Sequence, residues 1–308
     1  MPKNKKNTTT KPLFSPGHRA CAGCGQVIAV RAVTEALGSD VIIANATGCL
    51  EVVSTPYPQS AWGMPWIHSL FENAAAVASG ISAALKQQKK DKQVKVVAQG
   101  GDGGTFDIGF GLISGMWERG EDILYICYDN EAYMNTGMQA SAATPWGAHT
   151  TTTPSGKGED INALGSHLKK KDMVAIALAH GLNYVAQTSA GYPADIAEKV
   201  KKAIATPGPS YLQILVPCIP GWKIEPSQTI KIAKLAVQTG HYPAIEYING
   251  NLSKSLKIPQ NQPKVEEYLR LQGRFSHLFK TEQGKKQIAY IQTLADNNIK
   301  KYNLKQQK

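Results

Sequence analysis

Two hydrophobic periods alternate along the first two thirds of the chain. QVIAVRAVTEALG (26–38) repeats apolar residues at helical spacing and stops on Gly38, whereas VIIANA (41–46) is a short, largely apolar run that reads as a buried strand. The pairing recurs. NAAAVASGISAALKQQ (73–88) predicts a helix of small residues suited to close packing on a sheet, and VKVVAQ (94–99) predicts the next strand. DIGFGLISGMWERG (107–120) and ILYICYD (123–129) repeat the order. MVAIALAHG (173–181), YVAQ (184–187), PADIAEKVKKAIAT (193–206) and SYLQILV (210–216) continue it. Strands this short, separated by helices, predict an α/β fold with a doubly wound, mostly parallel sheet. Such sheets bind ligands outside the carboxyl ends of their strands, so the segments just after each strand are the places to look. No internal repeat is evident.

The pattern fades at both ends. Residues 1–14 read as a flexible basic tail, and residues 15–225 as the main domain. Beyond Trp222 the chain is rich in Lys, Gln and Asn and poor in branched apolar residues. Residues 226–308 therefore read as an arm with helical pieces that contacts partner subunits rather than forming a core.

Charge sharpens this division. The 308 residues carry 34 Lys+Arg against 23 Asp+Glu, a net charge of +11. Such a balance raises the question of nucleic acid, but aromatic residues are only 7% and none interleaves with a Lys/Arg cluster. Residues 1–11 hold four Lys and no acid, and residues 285–308 six Lys and one Asp, so the body is nearly neutral. The expected partners exclude nucleic acid, and the basic ends suit an acidic protein surface. No apolar run approaches the ~18 residues of a membrane span, and MPKNKKNTTTK lacks the apolar stretch of a secretory signal. The expectation is a cytoplasmic protein with no membrane partner.

Candidate chemistry begins after the second predicted strand. Gly100-Gly101-Asp102-Gly103-Gly104 opens the following helix, and glycines at a helix N-terminus leave room and free N–H groups for a phosphate. A tight strand-to-helix turn is the plain alternative. The partner segment Tyr128-Asp129-Asn130-Glu131-Ala132-Tyr133 ends the third strand. If the two strands are neighbours, Asp102 and Asn130 lie side by side and offer hard oxygens suited to Mg²⁺ bridging a diphosphate.

The run GDGG followed by DN resembles the diphosphate-binding motif of thiamine diphosphate enzymes. That resemblance implies Mg²⁺ held by Asp102, Asn130 and the carbonyl of Ala132, with Gly101, Gly103 and Gly104 cradling the diphosphate. The continuation YMNTGMQASAATPWGA (133–148) is similar to the β subunit of pyruvate:ferredoxin oxidoreductase, and matching segments run from Pro16 to Trp222. By this resemblance Asn135 is the catalytic candidate, facing the reacting carbon of the cofactor; capping a turn is its bland alternative. Thr136 and Gly137 are implied to help hold the diphosphate. Trp66-Ile67-His68 and Phe71-Glu72-Asn73 resemble the pocket-lining segment. There His68 is equally a structural histidine, and Glu72 equally an acid favoured by a helix dipole. Gln26 has no assigned role.

Five cysteines, an odd number, make a disulfide framework a poor reading in a reducing compartment. Cys127 sits inside a predicted strand and reads as a small buried hydrophobe. Cys21 and Cys24 form a CxxC pair, Cys49 follows Gly48 after the first strand, and Cys218 follows the last. By residues alone, four thiolates suit either structural zinc or an iron–sulfur cluster. The resemblance implies one 4Fe-4S cluster on Cys21, Cys24, Cys49 and Cys218, with Gly48 and Cys49 also beside the cofactor.

The resemblance then implies a reaction and its partners. Pyruvate and coenzyme A give acetyl-CoA and CO₂, and electrons pass through the cluster to ferredoxin. An α subunit is implied to supply the activating Glu and substrate contacts, and γ/δ-type subunits or domains to carry further iron–sulfur clusters. The alternatives are a related enzyme acting on 2-oxoisovalerate, oxalate or 2-oxoglutarate, and a zinc-binding α/β protein without redox chemistry.

Overall fold

A computed structural model describes residues 11–156 and 164–305. Strands β1 (Val41–Asn45), β2 (Trp66–His68), β3 (Lys95–Gly101), β4 (Ile123–Asp129), β5 (Tyr184–Ser189), β6 (Ser210–Leu215), β7 (Ile245–Ile248) and β8 (Asn251–Ser255) form one sheet. Its order is β2-β1-β3-β4-β6-β5-β7-β8; the first six strands run parallel and β7 and β8 antiparallel.

The largely apolar runs are explained by burial of both faces. Ile43, Val97, Leu124, Ile126 and Tyr128 point to one layer, which holds α1 (Gly25–Leu37) and α6 (Pro193–Ala205). Ala44, Val96, Ala98, Tyr125 and Cys127 point to the other, which holds α3 (Ala74–Gln87), α4 (Phe110–Glu118) and α5 (Met173–Ala179). The sheet is thus doubly wound, and Cys127 is fully buried as its strand position predicts. Ala74, Ala75, Ala78 and Ser82 are the buried face of α3, where small side chains let the helix approach the sheet closely.

A polar ladder crosses this apolar sheet. Gln99 Nε2 donates to Asn45 Oδ1 at 2.8 Å, and Tyr128 Oη donates to Gln99 Oε1 at 3.2 Å. All three side chains are buried, so loss of one member leaves a neighbour's polar group unpaired.

The ends of the chain correct the sequence reading. Residues 226–308 are not too thin to build a core. Besides β7 and β8 they form α8 (Thr229–Gln238), α9 (Val265–Arg270) and α10 (Glu282–Lys301), and bury Ile232, Tyr268, Phe275 and Ile291 with Leu215 and Trp222. On α10 the buried residues Gln287, Ile291, Ala295 and Ile299 recur every four positions, a single stripe that leaves most of the Lys on the outer faces. At the other end Phe14 is buried and packs edge-on to Trp62 at 5.0 Å, so the expected tail is already anchored there. Residues 1–10 of that tail lie outside the described residues. No helix among the described residues is long and apolar enough to cross a membrane.

Candidate functional site

Parallel pairing of β3 and β4 sets Gly101 opposite Tyr128, so Asp102 and Asn130 leave the sheet as neighbours. Asp102 is buried; its Oδ1 accepts the Asn130 N–H at 3.2 Å and its Oδ2 the Ser141 hydroxyl at 2.5 Å. The next residue, Glu131, has φ +68, a left-handed conformation uncommon for a side chain of this kind. The chain doubles back there. As a result the Ala132 carbonyl and the end of the Asn130 amide both face Asp102. Turned toward them, the amide nitrogen stands 2.7 Å from the Ala132 oxygen and 2.9 Å from Asp102 Oδ1.

That triangle has two states of chemical sense. With no cation, only an NH₂ group can sit between a carbonyl and a carboxylate. With a cation, a half-turn of the amide presents its oxygen, and three hard oxygens converge as Mg²⁺ requires. Burial, followed by the charge of Asp129, pushes the Asp102 carboxyl up to about 8. A divalent ion would therefore displace a proton on binding.

The glycines make room. A Cβ on Gly103 would lie 2.3 Å from the Tyr133 ring, and one on Gly104 3.1 Å from the Phe71 carbonyl. Residues Gly103–Ile108 form one wide π-helical turn before α4, so the helix predicted from 107 starts earlier and with a different pitch. Such turns recur at functional sites. A cleft at this point is lined by Gly48, Cys49, Gly101, Asp102, Gly103, Asn130, Ala132, Asn135 and Thr136, all singled out by sequence. Gly104 and Gly137 stand behind it, Gly137 at φ +121 in the loop that Thr136 closes by donating to Gln139 Oε1 at 2.6 Å. Phe71, from the segment that resembles a pocket lining, is in the cleft wall, and Thr47, Tyr133 and Met134 line it without an assigned role. His68, on the edge strand β2, shares a 2.7 Å hydrogen bond with the Thr47 hydroxyl. Glu72 lies just before α3, and its carbonyl stands 2.9 Å from where a Gly109 Cβ would be.

The cysteines gather beside this cleft. Gly25, the first residue of α1, donates its N–H to the Pro217 carbonyl at 3.2 Å, which brings Cys24 next to the Cys218 loop. Burial, then the thiols of Cys218, Cys24 and Cys21, push the Cys49 thiol up to about 12. Cys218 rises to about 12 through burial, partly offset by the Gly221 N–H. Burial also raises Cys24, against the N–H groups of Val27 and Gln26. All four are free thiols within electrostatic reach of one another, and Asp102 acts on Cys49. Among the described residues no three His, Cys, Asp or Glu side chains already stand in a metal-holding group. The donor set is sulfur only, with Cys21 exposed and Cys24, Cys49 and Cys218 partly buried, and it fits a four-thiolate group, iron–sulfur or zinc alike.

An ionic clamp that no sequence motif marks holds the buried carboxylates of Asp129 and Glu131. Lys170 Nζ lies 2.5 Å from Asp129 Oδ2 and 2.9 Å from Glu131 Oε1. Arg274 Nη2 lies 2.6 Å from Glu131 Oε2, and its guanidinium stacks 3.8 Å over the Trp222 ring. Trp222 in turn donates Nε1–H to the Asn130 carbonyl at 2.8 Å. Against the effect of burial, Lys170 and Arg274 hold the Glu131 carboxyl down at about 2. No motif flags Lys170 or Arg274, because neither is adjacent in sequence to what it touches.

Residues 46–214, more than half of the chain, match the family described as thiamine pyrophosphate enzyme, C-terminal TPP binding domain. The chain is 52% identical to pyruvate synthase subunit PorB of Methanosarcina barkeri, over 96% of this chain and 99% of the relative. It is 53% identical to PorB of Methanocaldococcus jannaschii, over 86% and 89%. This chain belongs to the PorB family. Ketoisovalerate oxidoreductase subunit VorB of Pyrococcus abyssi is 43% identical over 92% of both chains. A solved 2-oxoglutarate:ferredoxin oxidoreductase from Magnetococcus marinus shares the fold, with a TM-score of 0.58 and 24% identity over 93% of this chain and 97% of that one. The expected family and α/β class are borne out. Cys49, Asp102, Asn130 and Asn135 fall inside the thiamine pyrophosphate-binding match at residues 46–214; Cys21, Cys24, Cys218 and Arg274 fall outside it.

Proposed function

We propose that this chain is the thiamine diphosphate-holding β subunit of a pyruvate:ferredoxin oxidoreductase. The convergence of Asp102, Asn130 and the Ala132 carbonyl at the carboxyl ends of β3 and β4 carries the reading, because three oxygens there fit Mg²⁺ on a diphosphate. Pyruvate is favoured over 2-oxoisovalerate because the relatives at 52% and 53% identity are pyruvate synthase subunits, while VorB stands at 43%.

Bound thiamine diphosphate supplies a carbon nucleophile for the 2-oxoacid carbonyl and an electron sink when CO₂ departs. The chain's own residues place and shield that chemistry. Asp102, Asn130 and Ala132 hold the cation, Gly101, Gly103 and Gly104 admit the diphosphate, and Thr136 and Gly137 close the loop over it. Asn135 faces the cleft, where its amide can orient the substrate oxygen. Cys21, Cys24, Cys49 and Cys218 would hold one 4Fe-4S cluster beside the cleft, which would supply a one-electron acceptor between the cofactor and ferredoxin. The carboxylate that activates the cofactor is, on the family resemblance, supplied by an α subunit. The Lys-rich outer faces of residues 226–308 suit contacts with partner subunits or an acidic ferredoxin.

An anaerobic assay of the co-purified complex, with 2-oxoacids, coenzyme A and a viologen acceptor, tests this. Fastest turnover on pyruvate is expected, with iron and thiamine diphosphate retained. Preference for a branched 2-oxoacid would reassign the substrate. Colourless protein holding zinc and no iron would leave only the non-redox reading.

A further inference from the structure

We propose that Arg274 and Lys170 are positioning residues for the cation-binding loop, and that the C-terminal segment is therefore part of the cofactor site. This rests on the proposed Mg²⁺ site at Asp102, Asn130 and Ala132.

The loop divides by parity. The Asn130 amide meets the Ala132 carbonyl on the Asp102 side, whereas Asp129 and Glu131 end on the half-buried Lys170 and, for Glu131, the buried Arg274. Lys170 spans Asn130 from both sides, with Nζ 2.5 Å from Asp129 and 2.9 Å from Glu131. Arg274 and Trp222 make a second grip. The guanidinium binds the Glu131 carboxylate at 2.6 Å and stacks on Trp222, whose indole N–H holds the Asn130 carbonyl at 2.8 Å. Two consecutive residues of the loop are thus fixed by one stacked pair.

The loop needs such a hold. Glu131 has φ +68, a region that L side chains with a Cβ disfavour, so without outside partners the backbone would relax. Relaxation at Glu131 would swing the Ala132 carbonyl off the point that it shares with Asn130. Arg274 is itself fixed: Nε donates to Gln272 Oε1 at 3.0 Å, and its carbonyl accepts the His149 N–H at 2.9 Å. Its guanidinium can therefore serve as a rigid reference for the loop. Residues that orient metal ligands from behind typically change metal affinity by about 10- to 100-fold when lost.

The test uses the full chain with its co-purified partner subunits, stripped of thiamine diphosphate and Mg²⁺ and then titrated with Mg²⁺ at saturating thiamine diphosphate. Half-saturation is read by calorimetry, alongside the melting temperature without ligand. R274Q is expected to raise half-saturating Mg²⁺ by about tenfold or more, and R274K by less, because it keeps the charge but loses the fork. K199M, which breaks the buried Lys199–Asp195 pair on α6 far from the loop, serves as the control. It is expected to lower the melting temperature and leave Mg²⁺ half-saturation unchanged. If R274Q behaves like K199M, the pair is only structural and the inference is overturned. Should R274Q not fold, R274K and E131Q put the same question, and wild-type half-saturation in both overturns it. A wild-type protein that takes up no thiamine diphosphate with Mg²⁺ overturns the proposed function itself, and this inference with it.

Discussion

Gly25 and Pro217 meet backbone to backbone, with the Gly25 N–H on the Pro217 carbonyl at 3.2 Å and room for no side chain between them. A Cβ on Gly25 would lie 2.7 Å from Pro217 Cδ. This contact joins the CxxC turn to the loop of Cys218. Gly25→Ala is expected to push the two apart, cost about 1–3 kcal/mol through overpacking, and lower iron per chain. Iron analysis and visible absorbance of anaerobically purified protein check it; full iron content would show that the two loops need not touch.

Asp102→Ala removes the one carboxylate among the three converging oxygens. The expected outcome is loss of retained Mg²⁺ and thiamine diphosphate with iron content intact, since the cysteines belong to other loops. Metal and cofactor analysis of the same preparation checks it. Joint loss of iron and cofactor would mean that Asp102 holds up the whole region.

Gly103→Ala drives a methyl group into the Tyr133 ring, which stands 2.3 Å from the Cβ position. Displacing the ring also strains the 2.9 Å hydrogen bond from Tyr133 Oη to Asp107 Oδ2. Thiamine diphosphate affinity is expected to fall by about tenfold, an order-of-magnitude estimate for ~1.4 kcal/mol of misplacement. Tyr133→Ala in the same chain should recover part of it. A double-mutant cycle measures the coupling, and strict additivity would rule out the clash as the cause.

His241, within reach of the charges of Glu131, Lys170 and Arg274, gives a pH dependence of stability. Burial, only partly offset by Glu131, lowers its folded value to about 4, below its ordinary value of 6.5. Between those values the unfolded chain binds the extra proton. Stability is therefore full above about 6.5 and declines as pH falls toward 4. Denaturant midpoints measured from pH 7 to pH 4.5 should fall less steeply in His241→Gln than in wild type. Parallel curves would remove His241 as the titrating group.

The sheet was legible where burial on both faces produced largely apolar runs, as in β1, β3, β4 and β6. It was not legible at β2, whose three residues lie beside Pro65, or at β8, where Asn251, Leu252, Ser253 and Lys254 are all exposed and show no inward face. The C-terminal helices are hard to read from composition because their buried stripe is sparse: on α10 Gln287, Ile291, Ala295 and Ile299 include only two large aliphatic side chains. Asp102 and Asn130 were legible because strand ends place them, with only local chain between residue and strand. Lys170 and Arg274 reach the same loop from remote positions through tertiary packing, and no local pattern encodes that.

The ladder of Asn45, Gln99 and Tyr128 gives the sheet a built-in ruler. Its members lie on the three strands β1, β3 and β4, and a slip by one residue would leave several buried polar groups unpaired, at about 1–3 kcal/mol each. Apolar side chains alone would tolerate such a slip far better, because one Val or Ile fits much like the next. The levels at which Thr47, Asp102 and Asn130 emerge are consequently locked to one another, and the cleft inherits its dimensions from hydrogen bonds that never touch a ligand.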